Sequence, residues 1–324
     1  MALPSSGPLS LNQIHIEAGG SSGTICTLND ADIRDIISKD AGTTNSISEY
    51  RGQSAVEQVT LTSGGTVNGQ AQRQQITASS FISTGGILTI PSSMWVWSDN
   101  TSVAALTIDI SCTVVNNGKI IGKGGNGGYY VGTKATDGGP AIKINSGVSG
   151  VTITNASGAY IAGGGGGGGY YQDRSNPSDA HAGGGGGAGG GNGGTGRINQ
   201  GYWQAGVGGA LNASGTDGGN GYQYAGKGGG AGGGHGGQQY GGGGGGRILP
   251  GTGGSAGGGS GGNAGTSGSG FLAGGGGGWG AAGADGGGTT GPAYEGGGAG
   301  GAAIDPTGNS YTLNNNGTLY GSTT

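Results

Sequence analysis

The chain has 324 residues, 94 of them glycine, far above the roughly 7% of an ordinary globular protein. The formal net charge of -4 is mild, and with no Lys/Arg cluster to track a phosphate backbone, nucleic acid is excluded as a partner. Residues 1–11 carry no basic start and no sustained apolar run, and no apolar stretch reaches membrane-spanning length, so neither a signal peptide nor a membrane span is expected.

The glycines are unevenly placed: 12 fall in residues 1–120 and 82 in residues 121–324. The chain therefore reads as a composite of a helical module over 1–52, a β-rich neck over 53–122 and a glycine-rich domain over 123–324. In the first part, Ser10 opens a Ser-x-x-Gln capping box with Gln13, while Leu11, Ile14 and Ala18 share a helical face that Gly19 and Gly20 terminate. A second helix is expected from Asp30 to Lys39, capped by Asn29, with Ile33, Ile36 and Ile37 as its apolar stripe. Neither is long enough to stand alone in water.

From Val56 the pattern changes to period two. The runs around Val59 and Leu61, Ile87 to Ile90, and Leu106 to Val114 alternate apolar and polar residues, which predicts strands of a β-sandwich or β-solenoid. Trp95 and Trp97 point to one face and are assigned to a core or a subunit interface. Cys26 and Cys112 lie in different segments and suggest buried small side chains rather than a disulfide framework.

Three segments repeat a strand, an Asn/Gly turn and a strand: 115–122, 153–162 and 313–321. The first two run directly into glycine tracts. The third is expected to return beside them and tie down the C-terminal segment. The tracts themselves lack the every-third-residue glycine and abundant proline of collagen. They alternate with aromatic inserts for which a flexible linker has no use. They also lack the Lys-Ser/Thr and βαβ setting of a phosphate loop. What remains is a bundle of glycine helices of polyproline-II type, with three residues per turn and every main-chain polar group free to bond sideways. Ordering costs roughly 1 to 2 kcal/mol per residue and a net hydrogen bond returns about 0.5 to 1.5 kcal/mol. Such a bundle needs the β segments, and aromatics such as Tyr129, Tyr130 and Tyr160, to seal its ends. The expected fold is thus mostly β and irregular: a short helical module, a β-rich neck and a polyglycine II bundle with displayed loops.

Two resemblances follow from these strings. Residues 1–20 (MALPSSGPLSLNQIHIEAGG) and 47–52 (ISEYRG) resemble the N-terminal segment common to many phage tail and tail-fibre proteins, with an extra helix inserted between the two halves. The alternation of glycine tracts and irregular inserts over 122–301 is similar to the glycine-rich receptor-binding domain of the tail-fibre tip adhesins of T-even-like phages. These resemblances imply a virion component made in the host cytoplasm. It would attach to another tail protein through residues 1–52 and bind a bacterial outer-surface protein or glycan. A homotrimer suits a β-rich neck, and a monomer suits the bundle.

Binding residues are then expected in the inserts, since loops on a rigid frame carry recognition and Tyr, Trp and Arg dominate interface hot spots. The candidates are Tyr170, Tyr171, Asp173, Arg174, Tyr202, Trp203, Tyr222, Tyr224, Tyr240, Trp279 and Tyr294. No catalytic residue, metal ligand or cofactor is expected: the insert carboxylates Asp173, Asp179, Asp217, Asp285 and Glu295 fall in separate loops with no defined pair spacing, and the histidines form no ligand set. A purely structural tail component and a polysaccharide-degrading tail enzyme are the alternatives.

Overall fold

The structure, a computed structural model, describes residues 3–53, 55–67, 69–128, 133–172, 181–198, 201–203, 263–265, 273–286 and 296–324. The first module holds α1 (Leu11–Glu17) and α2 (Ala31–Asp35). The capping box is present as the sequence predicts, with Ser10 Oγ accepting from the Gln13 amide at 3.3 Å and Gln13 Oε1 accepting from the Ser10 amide at 2.8 Å. The second helix differs. It spans five residues behind Asp30, and the Asp30 carboxylate turns back to accept from the Thr27 amide and hydroxyl. That local turn anchors the entry to α2, and the chain leaves helical geometry soon after Asp35, with Ser38 at φ 52°. Leu3, Ile14, Ile33, Ile36 and Tyr50 form a small core of their own.

Residues 58–162 and 304–320 build a three-sided parallel β-solenoid. Its first turn contains β1 (Gln58–Thr60), β2 (Thr66–Val67), β3 (Gln70–Gln74) and β4 (Ile76–Thr77). The second contains β5 (Ile87–Ile90), β6 (Met94–Trp97) and β7 (Leu106–Ile108); the third, β8 (Thr113–Asn116), β9 (Lys119–Ile121) and β10 (Ile142–Ile144). The fourth holds β11 (Val151–Asn155) and β12 (Tyr160–Ala162). Four short strands follow outside the solenoid: β13 (Tyr171–Gln172), β14 (His181–Ala182), β15 (Gly196–Ile198) and β16 (Gly201–Trp203). The fourth turn is then completed by β17 (Ile304–Asp305), and β18 (Tyr311–Asn315) with β19 (Thr318–Tyr320) makes a fifth. The three sheets run β1-β5-β8-β11-β18, β4-β7-β10-β17 and β2-β3-β6-β9-β12-β19, parallel throughout except for the β2–β3 hairpin.

The register explains the apolar alternation. Leu88, Val114, Ile153 and Leu313 stack as one column; Val96, Ile120, Ile161 and Leu319 as a second; Ile76, Leu106, Ile142 and Ile304 as a third. Each inward aliphatic stabilises the stack by about 1.5 to 3 kcal/mol when fully buried. Cys112 is buried in the same core. At the corner between the first and third sheets, Asn116, Asn155 and Asn315 form a ladder. Asn116 Nδ2 donates to Asn155 Oδ1 and Asn155 Nδ2 to Asn315 Oδ1, both at 2.9 Å. Asn116 and Asn155 are wholly buried, and each also donates to a main-chain carbonyl of the next corner, Tyr160 and Thr318 respectively. The three sequence repeats are therefore successive corners of one solenoid, and sheet pairing continues on both sides of residue 122.

The glycine-rich segments are inserted into this solenoid. The chain leaves after β9, returns before β10, leaves again after β12 and returns before β17. Within the insertions the described tracts are neither helix nor strand, and main-chain hydrogen bonds join them side to side.

Candidate functional site

The tract 163–169 lies at the centre of the insertions and is completely buried. Its amides are distributed with a period of three. Gly164 and Gly167 donate to Gly139 and Thr136, Gly165 and Gly168 to Ala188 and Gly185, and Gly166 and Gly169 to Ala281 and Ala284. The carbonyls follow the same period. Gly164 and Gly167 accept from Gly301 and Gly298, Gly165 and Gly168 from Gly125 and Gly128, and Gly166 and Gly169 from Gly277 and Gly274. Each partner segment advances or retreats by three residues between contacts. A Cβ built on Gly166 would sit 2.7 Å from the Ala299 oxygen and closer still to that of Gly298, so only glycine allows this approach.

One end of these tracts rests on the outer face of the third sheet. There Trp95, Ile121, Ala162, Ala188 and Trp279 are buried together, flanked by Trp97, Tyr160 and Tyr320. The Lys119 ammonium lies 4.4 Å from the centre of the Trp95 ring and 5.5 Å from that of Tyr160. Burial lowers the Lys119 pKa and, with a smaller contribution from Tyr320, raises that of the Tyr160 hydroxyl. The chain reverses at this end through Gly189 and Gly190 (φ 100° and 82°) and through Gly280 (φ 62°).

The opposite end is the candidate site. The Gly128 amide bonds to Gly168, that of Gly184 to Gly128, that of Gly169 to Ala284, that of Gly185 to Gly274 and that of Gly194 to Gly184. The described ends of the irregular inserts after 128, 169, 194, 265 and 286 thus converge on one rim. At the edges of the insertions side chains replace missing neighbours: Asp285 Oδ1 accepts from the Gly297 amide at 2.9 Å, Asp137 Oδ1 from Ala299 at 2.7 Å, and Asn126 Oδ1 from Asn192 at 2.9 Å.

The predicted binding residues divide into three groups. Trp279 is fully buried and Tyr170 nearly so, at 4% exposed, because both pack inside the scaffold; neither presents a face to an outside molecule, and the expectation of receptor contact is not carried forward for them. Tyr171, Tyr202 and Trp203 are brought into one antiparallel sheet, ordered β13-β14-β15-β16, that grows from the rim beyond Gly169 and Gly183. This sheet was not legible beforehand, since strands of two or three residues are too short for alternation to register. Asp173, Arg174, Tyr222, Tyr224, Tyr240 and Tyr294 lie outside the described residues. Among the described residues no group of three or more His, Cys, Asp or Glu side chains could hold a metal, and no helix is long and apolar enough to cross a membrane.

No curated protein matches the chain. Among solved structures, the crystal structure of the gp37-gp38 adhesin tip complex of the bacteriophage S16 long tail fiber is similar at a TM-score of 0.43 and 19% identity, covering 98% of this chain and 99% of that one. The model of the family "Phage tail fibre adhesin Gp38" matches residues 56–230, more than half of the sequence. The chain belongs to the Gp38 family of phage tail fibre adhesins.

Proposed function

We propose that this tail adhesin binds a bacterial outer-surface protein or glycan with the inserts that converge on the far rim, carried by a polyglycine II bundle. The observation that carries the reading is the separation of roles between the two ends. One end is an apolar seat on the solenoid, the other a rim where irregular, aromatic-rich inserts start and finish. The bundle reading is supported by the three-residue period of hydrogen-bond partners around 163–169, which matches a helix of three residues per turn. The contact residues proposed are Tyr171, Asp173, Arg174, Tyr202, Trp203, Tyr222, Tyr224, Tyr240 and Tyr294. Recognition is by binding rather than by catalysis.

Residues 1–52 are proposed to attach the adhesin to another tail protein. Ile16, Ile25 and Ile47 stand exposed there although the module has a core of its own, and Ile25 is 99% exposed. The test is adsorption of phage particles to host cells. Replacing 171–182 or 202–224 with Gly/Ser should abolish adsorption while particles still assemble with the adhesin present. Unchanged adsorption in both replacements would refute the receptor-binding reading.

A further inference from the structure

We propose that the fifth solenoid turn, β18 and β19 with the residues that follow, is a clasp whose docking holds the glycine bundle together, so that a correctly formed rim depends on a segment that contributes nothing to it.

The clasp holds the fourth turn along its whole length. β18 pairs in register with β11 over five residues, and β19 with β12 over three. Asn315 completes the asparagine ladder, while Tyr311, Leu313 and Leu319 cover the open end of the solenoid core. The Tyr311 hydroxyl donates to the Thr323 carbonyl at 2.7 Å, and the Ile304 amide to the Ser322 carbonyl at 3.1 Å, folding the segment onto itself and onto β17.

The same segment reaches the bundle at its seat. The Tyr320 carbonyl accepts from the Gly163 amide at 2.9 Å, the first bond of the central tract. Gly163 in turn accepts from Gly280, the turn that carries Trp279. Tyr320 packs against the cluster that contains Trp279, and a Cβ on Gly321 would meet both the Gly301 carbonyl oxygen and the Gly280 Cα, so these backbones are in close approach. Segments that are far apart in sequence, around 163, 280, 301 and 321, therefore meet at one point. Main-chain bonds between the tracts repeat every three residues, so their register is set where that repeat is broken, by the edge side chains Asp137, Asp285 and Asn126 and, at the seat, by the clasp. The clasp contributes by fixing Gly163, Gly280 and Gly301 together.

The experiment is native-state hydrogen exchange on the whole chain, comparing amides of 163–169 with those of β18–β19 and of β5–β7. In the variant Leu313→Ala/Leu319→Ala the clasp amides should lose protection by about tenfold or more. The amides of Gly164 to Gly169 should lose it by the same factor, while β5–β7 keep theirs. Val59→Ala, at the opposite end of the solenoid, should leave the tract unaffected. Tract amides that keep full protection when the clasp opens, or that respond equally to Val59→Ala, would overturn the proposal. If the double variant fails to fold, Leu319→Val is read by the same comparison.

Discussion

Gly166 offers the sharpest test of a scaffold built from main chain alone. In Gly166→Ala the new methyl would lie 2.7 Å from the Ala299 oxygen and overlap the Gly298 carbonyl, whereas a Cβ keeps about 3.0 Å or more from any neighbour. The tracts 163–169 and 296–302 must then separate by more than half an ångström. That strains two bonds of 2.7 Å, from Gly298 to Gly167 and from Gly301 to Gly164. Losing two bonds and leaving their buried groups unsatisfied costs about 1 to 3 kcal/mol each, against a gain of about 0.4 to 1 kcal/mol from the stiffer unfolded chain. The expected destabilisation is about 1 to 5 kcal/mol. Gly296→Ala is the matched control, since among the described residues a Cβ there meets only the Asp285 carboxylate, at 3.3 Å, and should be nearly neutral. Urea unfolding followed by tryptophan fluorescence measures both. Equal stability of the two variants, or greater damage from Gly296→Ala, would refute the view that close main-chain approach is what glycine supplies.

Trp279→Ala should cost about 3 to 5 kcal/mol by emptying the seat between bundle and solenoid, seen in calorimetry as a lower transition temperature for the glycine-rich part. Asn155→Ala removes the middle of the ladder and should destabilise by about 1 to 3 kcal/mol in chemical denaturation, whereas Asn315→Ala, at the exposed end, should cost less. Burial and the nearby Asp109 push the Cys112 thiol up to about 11 from its ordinary value of 9.0. The unfolded chain then loses this proton first, so the contribution of Cys112 to stability is complete below pH 9 and falls as pH rises to about 11. Denaturation midpoints measured at pH 8 and pH 10 should show a smaller drop in Cys112→Ala than in the parent protein.

Much of this was legible because side-chain periodicity reports on neighbours. The alternation within Leu106–Ile108 and Thr113–Asn116 follows from a solenoid that buries every second strand residue, although the single run expected from Leu106 to Val114 is broken by a corner at 109–112 into strands of two different sheets, and the 115–122, 153–162 and 313–321 repeats are its stacked corners. Ser10 with Gln13 announced α1 because a capping box is a local device. The position of Trp279 was not legible, since glycine neighbours give no periodic cue to which end of a tract faces the solenoid, and an aromatic beside an insert reads the same as one beneath it. The brevity of α2 was hidden because Ile33, Ile36 and Ile37 satisfy a helical stripe, whereas the Thr27 bonds to the Asp30 carboxylate and the positive φ of Ser38 leave no apolar periodicity to read.

The double insertion has a mechanical consequence. A force applied at the rim reaches the solenoid through four covalent crossings, at residues 121–122, 141–142, 162–163 and 303–304, all in its third and fourth turns. Tension is therefore shared among neighbouring strands whose parallel ladders continue into the turns on either side, and no single linker carries the load.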